Sequence, residues 1–156
     1  IKVIMVLQLK KIKFEDTKIL FKWASLKSVR NNSLKKKKIS YSHHLNWIKK
    51  YLNNDLRNIG KIIYKQKKPI GLIRLDKKNK VYFISYLIAP KYRKKGYAYK
   101  ALKLFIKKIK KTKKIVAIVM NNNKASIKIF EKLSFKLMLK TNKYHKFIYN
   151  VKNKEK

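Results

Sequence analysis

The apolar residues Ala98, Ala101, Leu102, Phe105, Ile106 and Ile109 step along the chain by three or by one, so they share one face of a helix. Just beyond them, residues 115–120 read Ile-Val-Ala-Ile-Val-Met, an unbroken apolar run of strand length and the mark of a strand covered on both faces. A one-faced helix feeding a doubly covered strand calls for a layered α/β domain. The chain of 156 residues suits a single such domain and can bury roughly two-thirds of its unfolded surface without staples.

The remaining segments fit around this unit. Residues 6–14 alternate as a strand, and Asp16 is placed to cap a helix striped by Ile19, Leu20 and Trp23. Polar residues 30–38 predict a loop, after which Ser42 is a second candidate cap for a helix carrying Leu45, Ile48 and Leu52, ended by Asn53 and Asn54. Residues 61–66, 69–76 and 81–88 read as an antiparallel meander with a turn at 77–80. Asn123 caps a helix whose Ser126, Ile129, Phe130 and Leu133 share a face, and residues 135–139 and 144–151 close the chain as a hairpin. The predicted order is β-α-α-β-β-β-α-β-α-β-β over residues 1–156, with a structured core at about 6–151 and a frayed lysine tail at 152–156.

Composition excludes several chemistries. There is no cysteine, which removes disulfides, thiolate metal sites and cysteine nucleophiles together. The six acids are scattered apart from Glu15 and Asp16, and His43 and His44 are adjacent and so diverge on a helix; paired-carboxylate hydrolysis and a metal site are not expected. The net charge of +39 invites a nucleic-acid reading, but Arg30, Arg57, Arg74 and Arg93 are the only arginines. The other basic residues are lysines in a chain also rich in isoleucine and asparagine, so a solvated lysine coat of compositional origin accounts for the charge, with no specific nucleic-acid partner. No apolar run approaches the roughly 18 residues of a membrane span, and residues 1–7 lack the features of a signal peptide, so a cytoplasmic location without membrane partners is expected whether Ile1 or Met5 is the true start.

The segment with chemistry in it is Ile88-Ala89-Pro90-Lys91-Tyr92-Arg93-Lys94-Lys95-Gly96-Tyr97-Ala98, between a strand and the best helix. A strand turning directly into a helix leaves the first helical amides unpaired, with the positive end of the dipole behind them. Gly96 permits close approach of an anion to the backbone, Ala98 keeps the next turn narrow, and Arg93 brings a positive charge.

This segment resembles the acetyl-CoA motif of the GNAT acetyltransferase superfamily, Arg/Gln-x-x-Gly-x-Gly/Ala, at Arg93, Gly96 and Ala98. A second signature of that superfamily is matched by Asn123-Lys124-Ala125-Ser126 and Leu133-Ser134-Phe135. The resemblance covers residues 6–151 and implies a mixed, mostly antiparallel sheet flanked by helices, with strands splayed around the long helix to admit acetyl-CoA. On this basis Leu87, Ile88, Ala89, Arg93, Lys94, Lys95, Gly96, Tyr97, Ala98, Asn123, Ser126 and Phe130 would contact the co-substrate, the amides of residues 94–98 holding its pyrophosphate. Two positions depart from the pattern: Phe130 replaces a tyrosine thought to protonate the leaving thiolate, and Ser134 replaces a glycine.

Residues 23–33 and 39–47, with Trp23, Val29-Arg30, Ser33 and His44-Leu45-Asn46-Trp47, resemble the subgroup that acetylates the 4-amino group of UDP-linked amino-deoxy sugars on the way to pseudaminic and related nonulosonic acids, although Ala24 stands where an arginine is frequent. The resemblance implies direct transfer of acetyl to a primary amine, with Trp23, Arg30, His44, Trp47 and Arg74 toward a nucleotide-sugar acceptor. Backbone amides near Leu87 to Ala89 would polarise the thioester carbonyl. Tyr86, His44 or a water chain would relay the proton, His44 also fitting a surface-polar or helix-capping position. The oligomeric state is left open, a homodimer being compatible with the resemblance. The alternatives are a ribosomal-protein or peptide N-terminal acetyltransferase and, from another class, an inactive basic nucleic-acid-binding module on the same fold.

Overall fold

In a computed structural model, residues 6–53, 56–109 and 114–150 are described. They form a seven-stranded sheet in the order β1-β2-β3-β4-β5-β7-β6. The strands are β1 (Leu7–Lys11), β2 (Asn58–Lys65), β3 (Lys68–Lys78), β4 (Val81–Ile88), β5 (Lys114–Met120), β6 (Lys136–Lys140) and β7 (Tyr144–Asn150). Every neighbouring pair is antiparallel except β4 and β5, which are parallel. The helices are α1 (Thr17–Ser25), α2 (Lys27–Asn31), α3 (Tyr41–Leu52), α4 (Tyr97–Lys107) and α5 (Lys124–Lys132).

The sheet has an apolar layer on each side because the central strands alternate fully buried side chains. Ile62 and Leu72 face a cluster with Leu20 and Trp23 of α1 and Ile48 and Tyr51 of α3. Their neighbours Ile63 and Ile73 face the opposite cluster, which holds Ala101, Leu102, Phe105 and Ile106 of α4 and Phe130 of α5. Helix α4 buries the stripe expected of it, and Ile115, Val116 and Ala117 of β5 are buried on both faces as predicted. The meander and the closing hairpin are also present.

The N-terminal third departs from expectation. The first strand ends at Lys11, and residues Phe14–Asp16 form a 3₁₀ turn. Asp16 does not cap α1 with its side chain; its carboxylate accepts a 2.7 Å bond from the Lys13 amide and closes the preceding turn. The loop predicted over 30–38 begins as α2, so the order carries three helices before β2 rather than two. Ser40, not Ser42, caps α3, its hydroxyl accepting from the His43 amide at 3.2 Å. Asn53 is the C-cap of that helix; Asn54, Val151, the tail at 152–156 and the starts at Ile1 or Met5 lie outside the described residues. No helix among the described residues is long and apolar enough to cross a membrane.

Ser134 stands at the end of α5 with φ 66°, the left-handed conformation that glycine adopts without cost. The Ser134 amide donates to the Glu131 carbonyl and the Phe135 amide to the Phe130 carbonyl, while the Phe130 and Phe135 rings meet at 5.0 Å between centroids. This is a Schellman stop with its apolar contact intact, built on an unfavourable residue. Ser134→Gly should therefore stabilise the fold by about 1 kcal/mol, raising the thermal midpoint by about 3 °C. Scanning calorimetry at fixed pH measures this directly.

Candidate active site

The site begins with a gap in the sheet. Strand β4 is paired with β3 from Val81 through Ile88, and β5 is paired with β7 from Lys114 through Met120. Their facing edges share only the pairs Tyr82↔Ile115 and Phe83↔Val116. Beyond these the two strands part, and both edges of the opening present backbone groups. The Ala89 amide donates to the Ile70 carbonyl at 2.8 Å, on the β3 side. Antiparallel alternation directs the polar groups of Leu87 the same way and those of Tyr86 and Ile88 into the gap. Of the amides expected near Leu87 to Ala89, only that of Ile88 faces the opening; the Tyr86 amide joins it.

At the end of β4 the chain makes a 3₁₀ turn at Pro90–Tyr92 and enters α4. Lys94 and Gly96 both have positive φ, 58° and 78°. A Cβ added at Gly96 would meet nothing within 4 Å, so the space over the turn is open. The first intrahelical bond runs from the Lys100 amide to the Gly96 carbonyl, which leaves the amides of Tyr97, Ala98 and Tyr99 without a carbonyl partner at the positive end of the helix. This arrangement binds an anion such as a pyrophosphate. Lys94 and Lys95 flank the amides, whereas the Tyr97 side chain is buried beneath them.

Arg93 braces the turn. Its Nε donates to the Ile88 carbonyl at 2.8 Å and its Nη1 donates to Ser28 Oγ at 3.0 Å. The guanidinium thus ties the turn to the end of β4 and to α2, and Ser28, which carries no motif, holds its other end.

On the α1/α3 face of the sheet, Arg30, Arg74 and Trp47 come together, with His44 stacked on Trp47 at 5.4 Å between ring centroids and Trp23 in the core. Arg74 lies 5.1 Å over the Trp47 ring and donates from Nη1 to Asp76 at 3.1 Å and to the Tyr51 hydroxyl at 3.3 Å. Tyr51 in turn donates to the other Asp76 oxygen at 2.5 Å, and burial keeps that phenol firmly protonated. Arg30 donates to the Lys35 carbonyl and to Ser33 Oγ, both at 3.2 Å, but its Nε is buried with no partner. Burial, together with the nearby charge of Arg74, lowers the Arg30 pKa. The two guanidiniums therefore repel, and among the described residues the carboxylate paired with them is Asp76, already engaged by Arg74. Asp76 and Tyr51 had no signal in the sequence, since they are distant along the chain and belong to no motif.

Trp23 is a core residue, 5% exposed. His44 is 2% exposed, and its Nε2 donates to the Thr17 carbonyl at 3.1 Å, pinning α1 to α3 beneath Trp47. Desolvation lowers its pKa, so it stays neutral near pH 7. So placed, the imidazole is a buried tie between two helices, which corrects the expectation of a surface-polar or helix-capping His44.

The third wall is α5. Asn123 caps it as predicted, its side chain accepting from the Ser126 amide at 3.3 Å. Ser126 is buried, and its hydroxyl lies 2.5 Å from the Tyr86 hydroxyl across the gap. Phe130, one helical turn on, packs against Tyr86, Phe135 and Phe147. A depression of about 420 Å³ opens beside Met120, Asn121 and Asn122, with Leu34 and Lys36 of the α2–α3 connection opposite. No group of three metal-ligating side chains occurs among the described residues.

Comparison with known proteins agrees with this geometry. The chain superimposes on a domain from Methanocaldococcus jannaschii with a TM-score of 0.79 at 21% identity, covering 94% of this chain and 99% of that one. It matches spermidine N-acetyltransferase from Vibrio cholerae, solved with CoA and spermine, with a TM-score of 0.79 at 16% identity over 92% of this chain and 95% of that one. An acetyltransferase from Thermus thermophilus gives 0.77 at 14% identity over 94% and 98%. These likenesses establish the fold. No curated protein sequence matches the chain. Residues 7–136 match the acetyltransferase (GNAT) domain family, which is most of the chain and includes the parted strands, the open turn and the capped α5. The protein therefore belongs to the GNAT acetyltransferases, enzymes that move an acetyl group from acetyl-CoA to an amine.

Proposed function

We propose that the amine acetylated by this protein belongs to an anionic acceptor, the 4-amino group of a UDP-linked amino-deoxy sugar. The observation that carries this reading is the pairing of Arg30 with Arg74 on the proposed acceptor side, where, among the described residues, one guanidinium charge has no carboxylate of its own. A nucleotide diphosphate supplies the missing negative charge, and guanidinium forks match its oxygens in pairs. Trp47, already stacked beneath Arg74, offers a flat face beside that charge, and the asparagines around the 420 Å³ depression suit a sugar or base rich in hydroxyl and carbonyl groups.

Acetyl-CoA enters this reading from the other side of the sheet. Its pyrophosphate would sit on the amides of Tyr97, Ala98 and Tyr99, with its pantetheine arm between β4 and β5. The amides of Tyr86 and Ile88 point into that space and can donate to the thioester carbonyl as charge develops on its oxygen. The acceptor nitrogen then attacks directly, since the chain contains no cysteine to carry an acyl intermediate.

A polyamine is the acceptor of the Vibrio cholerae spermidine N-acetyltransferase, and it tests the proposal from the opposite direction of charge. A polycation would have to approach two arginines on a protein of net charge +39. Thiol-release kinetics should show turnover with a UDP-4-amino sugar and little with spermidine or with peptides. Arg30→Ala and Arg74→Ala should each raise the Michaelis constant for the sugar nucleotide by about tenfold, with that for acetyl-CoA nearly unchanged. Robust turnover of spermidine or peptide, with none of the sugar nucleotide, would transfer the assignment to those acceptors.

A further inference from the structure

We infer that Tyr86, relayed by Ser126, is the group that delivers the proton to the departing CoA thiolate. The inference rests on the acetyl-transfer reading and adds a residue role to it. When the acceptor nitrogen forms its bond to the acetyl carbon, the carbon–sulfur bond breaks and its electron pair leaves on sulfur. The nitrogen sheds one proton and the sulfur takes up one. A donor must therefore stand in the gap between β4 and β5, within reach of sulfur.

Among the described residues, the side chains around this gap that carry a hydroxyl and meet across it are Tyr86 and Ser126. Tyr86 lies past the last β4–β5 pair, Phe83↔Val116, where the strands have parted. Its ring stands on the α4/α5 face, and its hydroxyl meets that of Ser126 in the first turn of α5. The pair thus joins the strand on one side of the gap to the helix that follows the strand on the other. Phe130 packs against the same tyrosine at 6.0 Å between ring centroids and has no proton to give.

In the step itself, the O–H bond of Tyr86 breaks as the S–H bond forms. The resulting phenolate takes the Ser126 hydroxyl proton, and Ser126 is restored from cleft water, which holds the proton shed by the nitrogen. The sequence is neutral overall: amine and thioester become amide and thiol. Burial raises the Tyr86 pKa, with the Ser126 bond acting against that rise, so the group is protonated before each turnover and is suited to giving a proton rather than taking one from the amine.

Two variants that keep the packing test this. Tyr86→Phe should lower kcat by about 10²-fold with the Michaelis constant for acetyl-CoA changed less than about threefold. Ser126→Ala should have a smaller effect, about tenfold, since water can reach the phenolate. Adding Phe130→Tyr to Tyr86→Phe places a hydroxyl one turn along α5 from Ser126 and should restore most of the lost rate. A second readout needs no acceptor: the ultraviolet absorbance of the thiolate in bound CoA, followed against pH, should show ionisation moved to higher pH in Tyr86→Phe. Wild-type kcat and an unmoved thiol titration in Tyr86→Phe would overturn the role of Tyr86 while leaving acetyl transfer standing. Failure of the wild-type protein to bind CoA would overturn both.

Discussion

Gly96→Asp should lower acetyl-CoA affinity by at least about tenfold without unfolding the protein. The combination is diagnostic because the two effects run in opposite directions. Gly96 is the N-cap of α4, and nothing lies within 4 Å of where its Cβ would be, so an aspartate fits. Aspartate tolerates φ 78° better than most residues and is favoured at a helix start, where its charge meets the positive end of the dipole. The same carboxylate would lie over the amides of Tyr97, Ala98 and Tyr99 and repel any anion approaching them. Gly96→Ala separates backbone strain from charge: it carries the strain and should lose less affinity. Titration calorimetry with acetyl-CoA reads all three proteins, and an unchanged affinity in folded Gly96→Asp would remove the pyrophosphate from this turn.

The largest expected effect on stability is at Gly71, in the middle of β3. A Cβ there would press well inside van der Waals contact of the Leu87 carbonyl oxygen, with Ile88 Cδ1 at 3.0 Å and Ile63 Cδ1 at 3.3 Å. The first contact is with backbone held in the β3–β4 ladder, so relief requires the strands themselves to move. Gly71→Ala should cost about 3 kcal/mol and lower the thermal midpoint by about 10 °C. Because β4 forms one wall of the gap, acetyl-CoA affinity should fall as well. Gly60→Ala is the control, since the atoms its Cβ meets, Ile12 Cδ1 at 2.5 Å and Tyr51 Cδ1 at 2.9 Å, belong to side chains, and the methyl end of Ile12 can turn aside. It should cost less than half as much by the same calorimetric measurement.

The C-terminal half was legible because each of its elements states itself twice, once in periodicity and once in its boundary residues. Helix α4 has both an apolar stripe and Gly96 at its head, and α5 has both Phe130 on its buried face and Asn123 as its cap. The N-terminal third lacks that redundancy. Helix α2 spans five residues with none of them buried, and it is held by polar contacts such as the one from Arg93 to Ser28, which join residues 65 positions apart. No local pattern records such a bond. Ser40 and Ser42 are both sound caps by residue type, and residue type alone does not decide between them.

The site divides in the same way. The open turn at Gly96 follows from local chain geometry, so glycine spacing and the order of the two motifs were enough to place it. The proposed acceptor side is assembled from α2, α3 and β3, and its central group, Arg74 with Tyr51 and Asp76, is a tertiary product. Arg93 also carries a bracing role that the motif does not announce. Its position in the turn was evident, but the use of its donors by Ile88 and Ser28 depends on where β4 and α2 end.

The weak seam between β4 and β5 has a mechanical consequence. Two register pairs are all that the ladder contributes across the middle of the sheet, so the four-stranded and three-stranded portions are held in relation mainly by the apolar layer under α4 and α5. Helix α4 lies on this layer, with Ala101 and Leu102 completely buried in the cluster that draws side chains from both portions. The width of the aperture is thus set by side-chain volume in that layer. A methyl group added or removed there would widen or narrow the slot without touching any atom that lines it.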